Sequence, residues 1–206
     1  IVPIGEWILR EACREAASWP RPLGIAVNLS PLQFQQGDPV RLVHQVLIDT
    51  GLKPERLQLE ITEGVLMAKN ARPMSMLRRL KALGVKIVMD DFGTGYSSLS
   101  YLQSFPFDKI KIDRGFMANV ERNHQSAAIV RAIIRLGQSL GLPVLAEGVE
   151  TASQLAFLAA ESCDEMQGYL LGKPEPILKH WTLIEGTGDA MGTLDVADDR
   201  LAAQRA

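Results

Sequence analysis

Val85-Lys86-Ile87-Val88-Met89-Asp90-Asp91-Phe92-Gly93-Thr94-Gly95-Tyr96-Ser97-Ser98 decides how this chain is read. Apart from Lys86, its opening residues are apolar and largely β-branched, so the stretch predicts a short buried strand over 85–89. Two adjacent carboxylates follow where the strand ends, and then a loop holding Gly93 and Gly95. Neighbouring aspartates repel each other, and burying them unpaired is costly. Such a pair serves a cation, holds a proton, or lies in a solvated turn. The choice depends on whether other strands bring similar groups to the same end.

Working outward, Met74 to Leu83 reads as the helix before this strand, with Gly84 as its C-terminal cap. Leu57 to Ile61 is a strand, preceded by a turn at Lys53-Pro54-Glu55 and a helix over Val40 to Ile48 whose Leu42, Val43, Val46 and Leu47 face inward. Gly24 to Val27 is a strand that ends on Asn28-Leu29-Ser30-Pro31. Ile4 to Ser18 is a helix with Ile8, Ala12 and Ala16 on one face. Downstream, Lys109 to Asp113 alternates at strand period, and a long helix runs from Gln125 to Leu140, closed by Gly141. Pro143 to Ala146 is a strand, and Thr151 with Gln154 forms a capping box for a helix through Ala160. Glu165 to Leu171 is a weak strand and Ile177 to Ile184 a final helix. Residues 186–206 read as a tail or linker, leaving 1–185 as one domain.

Strand and helix alternate through six such units with short connections, which specifies an α/β fold with a mainly parallel sheet. A doubly wound sheet and a (β/α)8 barrel are both compatible with the order. The polar groups gather at the carboxyl ends of the strands: Asn28, Glu60 with Glu63, Asp90 with Asp91, Lys111 with Asp113, Glu147 with Glu150, and Gln167. In a parallel barrel those ends share one face, where barrel enzymes keep their active sites. An asparagine and several carboxylates, without His or Cys, suit Mg²⁺ or Mn²⁺. Two such ions can clamp both oxygens of a phosphoryl displacement. Lys111 adds a compact positive charge for a phosphate oxygen or an attacking water; a Schiff-base lysine and a plain salt bridge are the rival readings.

The chain has 206 residues, 47% of them apolar and 22% charged, in the range of an ordinary globular protein. Its 22 basic and 24 acidic residues give a net charge of −2, which advertises no surface for DNA or RNA. No apolar run is long enough to span a bilayer. Cys13 and Cys163 stand far apart with no metal-ligand or redox spacing, so both are expected as buried thiols in a reducing cytoplasm. None of His44, His124 and His180 lies beside a nucleophile motif. Asp91-Phe92-Gly93 matches the kinase metal-binding tripeptide without the rest of the kinase set, and Gly93-Thr94-Gly95 lacks the third glycine of a dinucleotide fingerprint.

Taken together, Asn28-Leu29-Ser30, Leu59-Glu60-Ile61-Thr62-Glu63, Asp90 to Ser98, Lys111-Ile112-Asp113, Ala146-Glu147-Gly148-Val149-Glu150 and Gln167-Gly168-Tyr169 resemble the EAL domain, a bacterial phosphodiesterase family for cyclic di-GMP. The resemblance covers about residues 1 to 180, in the family's order. It implies a modified (β/α)8 TIM barrel, here truncated to about six β/α units, and hydrolysis of cyclic di-GMP to linear pGpG at a two-metal Mg²⁺ or Mn²⁺ site. By the same resemblance Asn28, Glu60, Asp90 and Asp91 are metal ligands, with Glu147 serving as metal ligand or base. Lys111 holds or polarises the attacking water, Glu150 and Gln167 support that region, and Glu63 braces the loop after Asp91.

The resemblance also implies a homodimer and a sensor or GGDEF domain upstream, in a cytoplasmic domain whose parent could be membrane-anchored. The Glu-Ala-Leu motif that names the family is expected upstream of Ile1, together with two strands. A chain without that glutamate is expected to bind metal poorly and to be inactive on its own. The alternative is a non-catalytic receptor for cyclic di-GMP.

Overall fold

The structure, a computed structural model, describes residues 1–66, 72–94, 102 and 104–186. Gly95 to Ser98, the far half of the glycine loop, and the tail from 187 on lie outside the described residues. The expected alternation is present. Helix α1 (Val2–Ala17) leads into strand β1 (Ile25–Asn28), followed by α2 (Pro31–Gln36), α3 (Pro39–Thr50), β2 (Leu57–Thr62), α4 (Glu63–Leu66), α5 (Arg72–Ala82) and β3 (Lys86–Phe92). Then come β4 (Lys109–Ile112), α6 (Arg114–Met117), α7 (His124–Leu140), β5 (Val144–Ala146), α8 (Ala152–Ala160), β6 (Glu165–Met166) and α9 (Trp181–Glu185).

The strands form one six-stranded sheet in sequence order, and all five pairings are parallel. The sheet curls into a half-barrel. Period-2 alternation divides its residues between two faces. Leu57, Leu59 and Ile61 of β2, Ile87 and Met89 of β3, and Ile110 and Ile112 of β4 join one apolar core with Leu9, Val43, Leu77, Ile134 and Leu158 from the helices. The other face carries the polar set. Its rows are fixed by register: Asn28 beside Glu60, Glu60 beside Val88, Val88 beside Lys109, and Lys111 beside Leu145.

Several sequence expectations need correction. Strand β3 does not end at Met89; it runs through both aspartates to Phe92, with a bulge between Met89 and Phe92. Asp113 is not a strand residue but caps α6, its Oδ1 accepting from the Gly115 N–H at 2.9 Å. The last strand covers only Glu165–Met166, and the final helix is a 3₁₀ turn at Ile177–His180 followed by α9. On α1 the buried face is Leu9, Cys13 and Ala16, whereas Ile8 is 44% exposed. Helices α2, α4 and α6 were not anticipated. A signal for α2 stands in the sequence: Ser30 and Gln33 form a capping box, with Pro31 in the first turn.

Candidate functional site

Four adjacent strands bring their carboxyl ends to one place. Lys111 on β4 is 5% exposed, and its ammonium lies 2.7 Å from Glu60 Oε2, 3.2 Å from Asp90 Oδ1 and 2.6 Å from Glu147 Oε1. Glu60 comes from β2, Asp90 from β3 and Glu147 from the residue after β5. One lysine therefore ties together side chains from β2, β3 and the end of β5. This follows from strand period, since Lys109 and Lys111 share a face while Ile110 and Ile112 enter the core. Lys109 makes its own pair with Glu165 of β6 at 2.5 Å.

Burial works against the charge of Lys111, but hydrogen bonds to Glu147 and Glu60 and the nearby charges of Glu60 and Asp90 outweigh it. The net effect raises its pKa above lysine's ordinary value. A Schiff-base lysine needs a neutral amine, so this environment argues against the Schiff-base reading. Glu60 shows the opposite balance: burial lifts its carboxyl above the usual range despite its bond to Lys111. The Asp91 carboxyl is lifted as well, by burial first and then by the charges of Asp90, Asp113 and Glu147 and a hydrogen bond with Asp113.

Asp91 sits in the left-handed region at φ 53°, where the bulge re-aims the chain. Its N–H bonds Asp90 Oδ1 at 3.0 Å, and its carbonyl accepts from the Thr94 hydroxyl at 2.9 Å. Glu63 opens α4, is 6% exposed and reaches across to the start of the glycine loop, where its Oε1 accepts from the Gly93 N–H at 2.9 Å. Its other oxygen is buried without a partner. At Gly93, with φ 96°, an added Cβ would stand 3.1 Å from the Phe116 ring.

The remaining expected residues lie around this centre rather than in it. Asn28 is exposed on the edge strand, opposite Glu60 in register. Glu150 is exposed, with its N–H held by Gln154 Oε1 at 2.7 Å. Gln167 is exposed, and its backbone links Ala146 and Val149. The loop after β5 touches the segment after β6 so closely that a Cβ on Gly168 would lie 2.2 Å from the Val149 backbone. Asp113 is the acid whose contact sequence reasoning missed, because its partner Asp91 is brought to it only by the bulge.

The donor set around Lys111 is all oxygen, which fits a hard divalent cation in kind. In this arrangement the carboxylates close on the lysine. Among the described residues no group of three or more His, Cys, Asp or Glu side chains is set to hold a metal ion.

The curled parallel sheet with acids at its carboxyl ends is the architecture of EAL domains. The EAL domain family matches residues 1–174, and the chain belongs to that family. An uncharacterized signaling protein of Caulobacter vibrioides is 58% identical over 184 residues, 88% of this chain and 23% of its own. MucR of Pseudomonas aeruginosa, named a bifunctional diguanylate cyclase/cyclic di-GMP phosphodiesterase, is 47% identical over 180 residues, 85% of this chain and 26% of its own. The chain thus spans about a quarter of the length of these curated relatives. The MucR phosphodiesterase in complex with c-di-GMP superposes with a TM-score of 0.83 at 46% identity, covering 87% of this chain and 74% of that one. A manganese/cy-diGMP complex of Klebsiella pneumoniae BlrP1 gives 0.77 at 31% identity, covering 84% and 45%. Both are EAL-type folds with the dinucleotide bound.

Proposed function

We propose that this chain is the larger part of the catalytic domain of a phosphodiesterase that opens cyclic di-GMP to linear pGpG. The observation that carries the reading is the convergence of Glu60, Asp90 and Glu147 on Lys111 at the ends of adjacent strands, in a chain of the EAL family. In the reaction the oxygen of a water forms a bond to phosphorus, and the bond from phosphorus to one ribose 3′ oxygen breaks. The water loses a proton and the leaving oxygen gains one. Glu147 takes the proton from the water; its position at the edge of the cluster, with a 22% exposed side chain, supports that role. Lys111, held as a cation, orients that water and faces the charge that develops on the phosphoryl oxygens.

Asn28, Glu60, Asp90, Asp91 and Glu147 are the residues that would hold Mg²⁺ or Mn²⁺. Divalent ions held there would supply charge stabilisation to the phosphoryl transfer. The manganese complex of the BlrP1 relative supports a divalent requirement. Glu63 braces the loop, and Gln167 and Glu150 support the region around Lys111 and the attacking water. We assign residues 1–185 to this domain and 186–206 to a linker or tail. In the intact protein the domain is cytoplasmic, works as a homodimer and is fused to a GGDEF or sensor domain.

The test is turnover of cyclic di-GMP by the intact protein with Mg²⁺ or Mn²⁺. Asp90→Asn should lower it by roughly a hundredfold or more. Full activity in Asp90→Asn would remove the metal role. Calorimetric binding of the dinucleotide without turnover, metal present, would favour the receptor alternative.

A further inference from the structure

Lys111 is the most enclosed charge in the site, its side chain 6% exposed, and it is shared among three carboxylates. Those carboxylates have side chains 12%, 12% and 22% exposed, so solvent screens them poorly. Three negative groups within reach of one nitrogen repel one another strongly unless a cation stands between them. That position is filled by the ammonium itself. Carboxylate oxygens that suit a divalent ion are thus already engaged by the ammonium.

We propose that Lys111 is a resident cation that assembles Glu60, Asp90 and Glu147 before any metal arrives, and that it competes with the metal for their oxygens. The inference rests on the metal reading of the site given above. It gives the lysine a role separate from orienting water: it holds β2, β3 and β5 in register at their polar ends while the site is metal-free. Metal uptake then requires the ammonium to give up carboxylate partners. Affinity for the ion is accordingly lower than the donor set alone would give.

The experiment compares the wild-type protein with Lys111→Met and Lys111→Gln, by thermal melting in EDTA and by calorimetric titration with Mn²⁺. In EDTA both variants should melt at least about 5 °C below wild type, because the carboxylates lose their counter-charge. Mn²⁺ should bind the variants about tenfold tighter or more, and should raise their melting temperature further than that of wild type. A Lys111→Met chain that folds only with Mn²⁺ present is the limiting form of the same result. Unchanged melting in EDTA, or Mn²⁺ affinity equal to or below that of wild type in Lys111→Gln, overturns the proposal. Failure of the wild-type protein itself to take up Mn²⁺ is a different outcome: it sinks the metal reading, and the competition with it.

Discussion

At Glu63 one carboxyl oxygen has a partner and the other is buried without one. The arrangement makes sense if the side chain is there for the Gly93 N–H rather than for its own stability. Replacing Glu63 with alanine removes that acceptor and leaves space in the interior, at a cost of about 1–2 kcal/mol. Urea denaturation should show the loss, and Glu63→Gln, which retains an acceptor, should recover most of it. Equal loss in both variants would mean that the charge, not the bond to Gly93, matters. Much of the site was legible at this scale. Glu60, Asp90, Lys111 and Glu147 could be placed together because each ends or nearly ends a recognisable strand. The contact of Asp91 with Asp113 was not legible, since it depends on a bulge that no periodicity announces.

Strand β3 shows what element-level reading catches and what it misses. Its apolar, β-branched run predicts the strand but places the end at Met89, three residues short of Phe92, because aspartate is a poor strand residue by propensity. Pairing with β2 carries Thr62 and Asp90 side by side, and this tertiary constraint overrides the preference. The short helices α2, α4 and α6 were missed for a related reason: each is 4 to 6 residues, too short to show an apolar period. Ser30 with Gln33 carries the same cap signature as Thr151 with Gln154, which was recognised because a longer helix follows it. The bulge itself is strained, with Asp91 left-handed and facing other carboxylates. Asp91→Gly should therefore stabilise the protein by about 1 kcal/mol, glycine's freedom at positive φ outweighing its greater entropy loss. The same change should abolish or sharply reduce phosphodiesterase activity. A lower melting temperature for Asp91→Gly would show that the strain is not there to be relieved.

On the scale of the whole molecule, the parallel α/β sheet is legible from the order of strands and helices, but that order fits a doubly wound sheet as well as a barrel, and only the family resemblance points to the curled form. What the order did not reveal is how the far end of the chain returns. The Arg21 guanidinium, between α1 and β1, donates to the Leu183 carbonyl of α9 at 2.8 Å across 162 positions. Every strand pairing, by contrast, joins consecutive strands. The sheet can therefore grow one unit at a time, each strand docking on its predecessor at modest loop-closure cost. The Arg21–Leu183 tie spans 162 positions, so it is expected to form after the local strand pairings, as a latch on the assembled sheet. Latches of this kind govern the rate of opening rather than of assembly. Arg21→Ala should accelerate unfolding in stopped-flow measurements while leaving the refolding rate close to wild type; slower refolding at unchanged unfolding would place the tie early instead.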